Sequence, residues 1–315
     1  MSLDPQLEAM FANQPEWPPI RTVPVPALRE AVRSSSIQMP PPQVSLASVS
    51  DRTIPGPTGE IPVRIYTPEG SGPFPVIAYF HGGGFVVGDL DTQDMIARGL
   101  AAGAESIVVS VDYRLAPEHK FPAAFDDCWS ATQWVAANAA ELGGDPTLIG
   151  VAGDSAGGVL ASACALLARD AGAPRLSVQI NWYGPGIHPI PEEGSAIEFA
   201  NGPILRLDDA HYFWELHIRD NSDFDDFRAS PMKAASHEGL PPAFIASAEC
   251  DPIRDAVERY APVLEKAGVE VEMKRYPGMV HGFVSWLGFL PGAQAAMADA
   301  CAFAKKQFAA ARQDA

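Results

Sequence analysis

Thr147-Leu148-Ile149-Gly150-Val151-Ala152-Gly153-Asp154-Ser155-Ala156-Gly157-Gly158-Val159-Leu160-Ala161 joins a short apolar strand to a small-residue helix through the pattern Gly-x-Ser-x-Gly. Small residues on either side of a serine let the backbone bend sharply enough to lift its hydroxyl clear of a sheet. The five-residue pattern alone recurs in ordinary turns. The strand before it, and the helix running on through Cys164 to Arg169, make Ser155 a candidate nucleophile at a strand-to-helix elbow. A free serine hydroxyl attacks an acyl carbon only when an imidazole takes its proton and N–H groups receive the charge that develops on the carbonyl oxygen. The rest of the chain holds candidates for both.

The donors come from His81-Gly82-Gly83-Gly84-Phe85, which directly follows the apolar strand Phe74–Phe80. Side chains there would keep a substrate away from backbone N–H groups, and glycine removes them. Gly83 and Gly84, with Ala156 just after the nucleophile, are the candidate oxyanion hole, and Gly82 is a lesser member. A phosphate-binding loop would need a following Gly-Lys-Ser/Thr, which is missing. Of the seven histidines, His281 has the placement of a base. It follows Val269–Tyr276, an alternating half-buried strand, and the turn Pro277-Gly278. Reactive groups of α/β sheets gather at such strand ends. His211 and His217 share a helix with Phe213 and Trp214, and the others lie near prolines or in polar loops. The acid that orients the base is assigned to Asp251, after the strand Ala243–Ala248 and before Pro252. There it also suits a helix N-cap, and the two roles are compatible. Asp255 is the second choice and Glu249 the third, while Asp154 stands too near Ser155 to reach behind the imidazole.

Nucleophile, acid, base is the chain order of α/β-hydrolases and not that of the two common serine-protease arrangements. From about residue 50 to 290 the sequence resembles the hormone-sensitive-lipase-like carboxylesterases, the bacterial family IV group. The motifs that carry this are His81-Gly-Gly-Gly-Phe85, Asp112-Tyr113-Arg114-Leu115-Ala116-Pro117-Glu118, Gly153-Asp154-Ser155-Ala156-Gly157-Gly158, Asp251-Pro252-Ile253-Arg254-Asp255 and His281-Gly282-Phe283. The one departure is Ile253 where the family has leucine. The resemblance implies a cofactor-free, metal-free esterase with a helical cap over its site. It also implies a homodimer surface along the edge strand 269–276.

Length and composition agree. At 315 residues and 47% hydrophobic, the chain can bury one large core and a small accessory layer. No apolar run nears the roughly 20 residues of a membrane span, and Met1 to Gln14 lacks the basic head and apolar stretch of a signal peptide. A cytoplasmic location is therefore expected. Cys128, Cys164, Cys250 and Cys301 stand singly among apolar residues, without metal or redox spacing, and are expected as buried thiols. The formal charge of −17 argues against nucleic-acid and anionic-membrane partners.

Strands are expected near 43–49, 61–67, 74–80, 106–111, 147–152, 176–183, 242–248 and 269–276. Helices are expected near 91–103, 122–142, 155–170, 252–268 and 291–311. The first two strands form a hairpin through Pro55-Gly56-Pro57-Thr58-Gly59, and the rest make a mostly parallel α/β sheet with helices on both faces. Residues 1–40, with a proline-rich stretch from Pro15 to Pro26, and 186–230 break this alternation. They are expected as two parts of the cap, with 41–185 and 231–315 as the catalytic core. Ala210, Phe213, Trp214, His217 and Ile218 share one helical face. Phe85, Tyr212, Phe213, Trp214, Phe283 and Trp286 are the candidate substrate contacts.

These residues point to hydrolysis of short- to medium-chain carboxylic esters through an acyl-enzyme. Amide hydrolysis or acyl transfer with the same three residues is the alternative enzyme reading. A non-catalytic ligand receptor on the same fold is the alternative outside catalysis, and keeping serine, acid and base together weighs against it.

Overall fold

A computed structural model describes residues 2–12, 17–39 and 42–313. The boundary expected between residues 40 and 41, and Pro15 of the proline-rich stretch, lie outside the described residues. Among these residues one sheet has eight strands: β1 (Leu46–Pro55), β2 (Glu60–Pro68), β3 (Phe74–Phe80), β4 (Ile107–Val111), β5 (Gly144–Asp154), β6 (Leu176–Trp182), β7 (Ala243–Cys250) and β8 (Val271–Val280). Their order across the sheet is β1-β2-β4-β3-β5-β6-β7-β8. β1 and β2 form the expected antiparallel hairpin, β2 also pairs antiparallel with β4, and every pairing from β3 to β8 is parallel. The central strands β3, β4, β6 and β7 are buried along nearly their whole length because both faces are covered, as parallel sheets require.

β1 is displaced from the expected 43–49. It carries Ser48, Ser50, Asp51 and Arg52 on a solvated edge, so no apolar alternation marks its length.

The helices are α1 (Pro5–Phe11), α2 (Val25–Ser36), α3 (Asp94–Gly103), α4 (Ala123–Asn138), α5 (Ala156–Ala171), α6 (Ser195–Glu198), α7 (Leu207–His217), α8 (Arg254–Glu258), α9 (Tyr260–Lys266) and α10 (Pro291–Gln313). α4 and α5 pack together against the sheet, as do α3 and α10. The single helix expected over 252–268 is two, α8 and α9, meeting at Arg259. The proline-rich N-terminal stretch is also partly helical. Pro5 and Pro26 occupy the first turns of α1 and α2, where a missing N–H costs no hydrogen bond.

Two segments outside the sheet meet beyond the C-terminal ends of its strands. The Ile20 N–H donates to Asp209 of α7 at 3.1 Å, and Arg21 forks onto Glu215 at 2.7 and 2.9 Å. Further along α2, Arg29 donates to the carbonyls of Val86 and Ala116 and pairs with Glu118, and Arg33 pairs with Asp89 and Asp91. These contacts tie the N-terminal segment both to α7 and to the loop that leaves β3.

Candidate active site

Ser155 leaves β5 with φ 51° and ψ −119°, a positive-φ conformation that costs a non-glycine residue about 1–3 kcal/mol. The surrounding packing enforces it. A Cβ at Gly153 would fall 2.2 Å from the Gly157 carbonyl, and one at Gly157 would fall 1.9 Å from the Phe80 carbonyl oxygen. The two glycines of the elbow are therefore demanded by backbone-on-backbone contact among β3, β5 and α5. The Ser155 N–H donates to the Trp182 carbonyl at 2.8 Å and pins the turn to β6.

Across the nucleophile, the loop after β3 runs through Gly83 (φ 117°), Gly84 (φ 60°) and Phe85 (φ 64°). The Gly83 carbonyl accepts the N–H groups of Val86 and Val87 and curls this loop back on itself. Among the described residues no protein acceptor takes the N–H of Gly83 or Gly84. Ala156 heads α5, where first-turn N–H groups have no partner within the helix. Gly82 drops out of the expected set, because its N–H donates to Asp154 Oδ1 at 2.9 Å. His81 supports the loop from beneath. Its ring stacks on Tyr113 at 4.2 Å, Nδ1 donates to the Gly82 carbonyl at 2.7 Å, and burial pushes its pKa down to about 4.

His281 stands just past β8, and its Nε2 lies 2.8 Å from Ser155 Oγ. On the other side of the ring, Nδ1 is 2.7 Å from Asp251 Oδ2. A carboxylate can only accept, so the ring proton sits on Nδ1 and Nε2 is left to receive the serine hydroxyl. Asp251 is fully buried, and its other oxygen accepts the Ile253 N–H at 2.9 Å. That bond closes a turn two residues ahead of α8, whose N-cap is Ile253 without a side-chain cap, so the helix-capping role expected for Asp251 is not the one it takes. The two competing acids have other partners. Asp255 accepts the Ser195 N–H at 2.9 Å and holds α6, while Glu249 accepts the Gly278 N–H at 2.8 Å and braces β8, which runs on through the turn expected at Pro277-Gly278 to Val280, with Gly278 at φ 69° as a kink within it. Tyr183 packs edge-on against the imidazole at 5.1 Å.

Asp154 carries more than its exclusion as a triad acid suggests. It is buried beside Ser155, and Oδ1 accepts both the Tyr79 hydroxyl at 2.6 Å and the Gly82 N–H. Burial raises its pKa to about 6, against the lowering effect of those two donors and of nearby His281. One carboxylate thus joins the elbow to the glycine loop. The signal was in the sequence, since a charged residue inside an elbow at the end of a buried strand must find partners.

A cavity of about 200 Å³ opens above Ser155 and His281, walled by Phe85, Val159, Ile190, Leu205, Phe213 and Trp214 among others. Three expected substrate contacts, Phe85, Phe213 and Trp214, therefore line it. Tyr212, one residue along α7 from Phe213, points to the other side of the helix and lies under the Arg21 guanidinium at 4.5 Å. Phe283 is fully buried between Tyr183 and Tyr276, at 5.6 and 5.4 Å. Neither lines the cavity, because a helix and a tight turn send neighbouring side chains in different directions. Trp286 lines a different, adjoining space. Among the described residues no group of three His, Cys, Asp or Glu could hold a metal ion, and no helix is long and apolar enough to cross a membrane.

Residues 77–285 match the family described as alpha/beta hydrolase fold. Carboxylesterase NlhH of Mycobacterium tuberculosis is 46% identical over 267 residues, covering 83% of this chain and 83% of its own length. An arylesterase of Saccharolobus solfataricus is 39% identical over 226 residues, covering 71% and 73%. Among solved structures, a hyperthermophilic esterase from the archaeon Pyrobaculum calidifontis superposes with a TM-score of 0.89 at 37% identity, covering 97% of this chain and 99% of its own.

Proposed function

Since the chain belongs to the alpha/beta hydrolase family, in its hormone-sensitive-lipase-like branch, and is a carboxylic ester hydrolase, we propose that Ser155, His281 and Asp251 carry the reaction through an acyl-enzyme. Ser155 Oγ attacks the ester carbon as its proton passes to His281 Nε2. The carbonyl oxygen takes the negative charge facing the N–H groups of Gly83, Gly84 and Ala156. Collapse of the tetrahedral species breaks the bond to the alcohol oxygen, which leaves with the proton from Nε2, and the acyl group stays on Ser155. A water then gives a proton to His281 and attacks the acyl carbon, and the proton returns to Ser155 as the carboxylic acid departs. Asp251 holds the ring with Nδ1 protonated and stabilises the imidazolium in both halves.

The observation that carries this reading is the unbroken hydrogen-bonded chain from Oγ through the imidazole to a fully buried carboxylate. It stands at the floor of an apolar cavity whose wall includes Gly83 and Gly84. The segments 1–40 and 186–230 act as a cap in this scheme. With α7 and its neighbours over Ser155, water is excluded and the donors act in a low-dielectric site. A chamber of about 200 Å³ suits short- to medium-chain esters, at roughly 30 Å³ for each group the size of a water molecule. The buried free thiols of all four cysteines support work in a reducing compartment.

Reaction with a fluorophosphonate tests the assignment directly. Covalent labelling of wild type that disappears in Ser155→Ala is the expected result. Labelling at another serine, or turnover that survives the substitution, overturns it.

A further inference from the structure

Behind the reaction chamber lies a second space of about 460 Å³, formed where α2 and the residues before it face the stretch 202–213 and the turn after His281. It is larger than the chamber itself and, like it, opens to solvent. Its walls include Phe11, Leu28, Val32, Met39, Met95 and Trp286. At its rim Trp17 and Ile204 expose large apolar side chains, at 49% and 44%. An apolar concavity with an apolar rim fits an apolar group better than a polar one.

Four residues line both spaces: Ile204, Leu205, Phe213 and Ser285. Ile204 belongs to the exposed rim and Ser285 is too small to close a passage. Phe213 is the largest, and its ring lies on the backbone of the glycine loop. A Cβ placed on Gly84 would be 2.3 Å from the ring Cγ and 2.6 Å from both Cδ atoms. The same side chain packs against both the main core and the smaller apolar cluster around Leu28, Val86, Val87 and Ala116. With the buried Leu205 beside it, it forms the wall between the two spaces.

We propose that Phe213 is the specificity-determining residue of this esterase, and that its ring ends the reaction chamber in front of an apolar annex with room for a long alkyl chain. The proposal rests on Ser155 being the acylated residue. With the ring in place, an apolar substituent gains from burial only until it meets Phe213. With the ring removed, each further methylene buried in the annex is worth about fourfold in kcat/KM, less what ordering the chain costs.

The test is the substrate-length profile of wild type, Phe213→Ala and the double variant Phe213→Ala with Val32→Trp. It is run on p-nitrophenyl butyrate and laurate, and in parallel on butyl and dodecyl acetate. The expected result is a rise of tenfold or more in the long-to-short ratio of kcat/KM for Phe213→Ala in one of the two series, and its loss when the indole introduced by Val32→Trp fills the annex. The series that responds identifies whether the acyl or the alcohol end enters. Both substrates of a pair report on the same folded molecules, so partial unfolding cancels from the ratio. A ratio within twofold of wild type in both series, or a gain that survives the Val32→Trp change, overturns the role of Phe213. Absence of turnover in wild type together with absence of fluorophosphonate labelling overturns the Ser155 assignment and the annex with it.

Discussion

Asp154→Asn isolates one buried charge whose stability effect follows from its surroundings. The carboxylate is buried at the elbow, and its pKa is raised from 3.8 to about 6, chiefly by burial. The folded protein therefore holds this proton more tightly than the unfolded chain. The associated stability is fully present in acid and is lost as pH rises through about 6. At about 1.36 kcal/mol per pKa unit, the loss is on the order of 2 kcal/mol at pH 5 and 3 kcal/mol at pH 8. Asparagine keeps a carbonyl oxygen to accept from the Tyr79 hydroxyl and the Gly82 N–H, and it does not ionise. Any cost from the amide's own fit is independent of pH. Urea unfolding of wild type and Asp154→Asn at pH 5 and pH 8 should thus show the variant gaining on the order of 1 kcal/mol relative to wild type over that interval. A difference that stays level, or moves the other way, would mean that Asp154 is ionised at its ordinary pKa and that burial does not govern it.

Ser155→Ala and His281→Ala should each lower kcat on p-nitrophenyl butyrate by about 10⁴- to 10⁶-fold, Asp251→Asn by less, and a double variant by little more than one single change. Asp255→Asn should leave kcat near wild type while lowering the melting temperature, because its carboxylate holds α6; loss of turnover there, with Asp251→Asn active, would reverse the acid assignment. Gly157→Ala should destabilise the fold by more than about 3 kcal/mol or prevent soluble expression, since its Cβ has only 1.9 Å to the Phe80 carbonyl oxygen. His217, stacked on Phe85 at 3.9 Å, has its pKa pushed down to about 3 by burial. Its contribution is present above pH 6.5 and lost as pH falls, by about 2 kcal/mol at pH 5, so unfolding of His217→Phe should depend less on acid between pH 7 and 5 by that amount.

The features legible in the sequence are those imposed within a few consecutive residues. Gly153 and Gly157 are required by the bend at Ser155, and a backbone bend leaves its mark in the residues that make it. The glycine run after β3 is local in the same way, whereas Pro277-Gly278, expected as a turn, lies inside β8 because a kinked strand still pairs with β7. Apolar periodicity outlined most of the sheet for a related reason, since a strand buried on both faces must be apolar along its own length. Where that pressure is absent, as on the solvated edge strand β1, the expected bounds slipped.

Tertiary structure decided what depends on residues brought together from afar. Three acids follow β7 or end it within a few positions, and only packing sends Asp251 behind His281, Glu249 to Gly278 and Asp255 to Ser195. Tyr212 and Phe213 are neighbours in the chain, yet the turn of α7 sends one under Arg21 and the other onto Gly84. The annex is walled by residues from α1, α2, the stretch 202–213 and the turn after His281, and no periodicity links them. A cavity is the space left when separate segments pack. Its shape depends on their mutual placement, which the residues of any one segment do not encode.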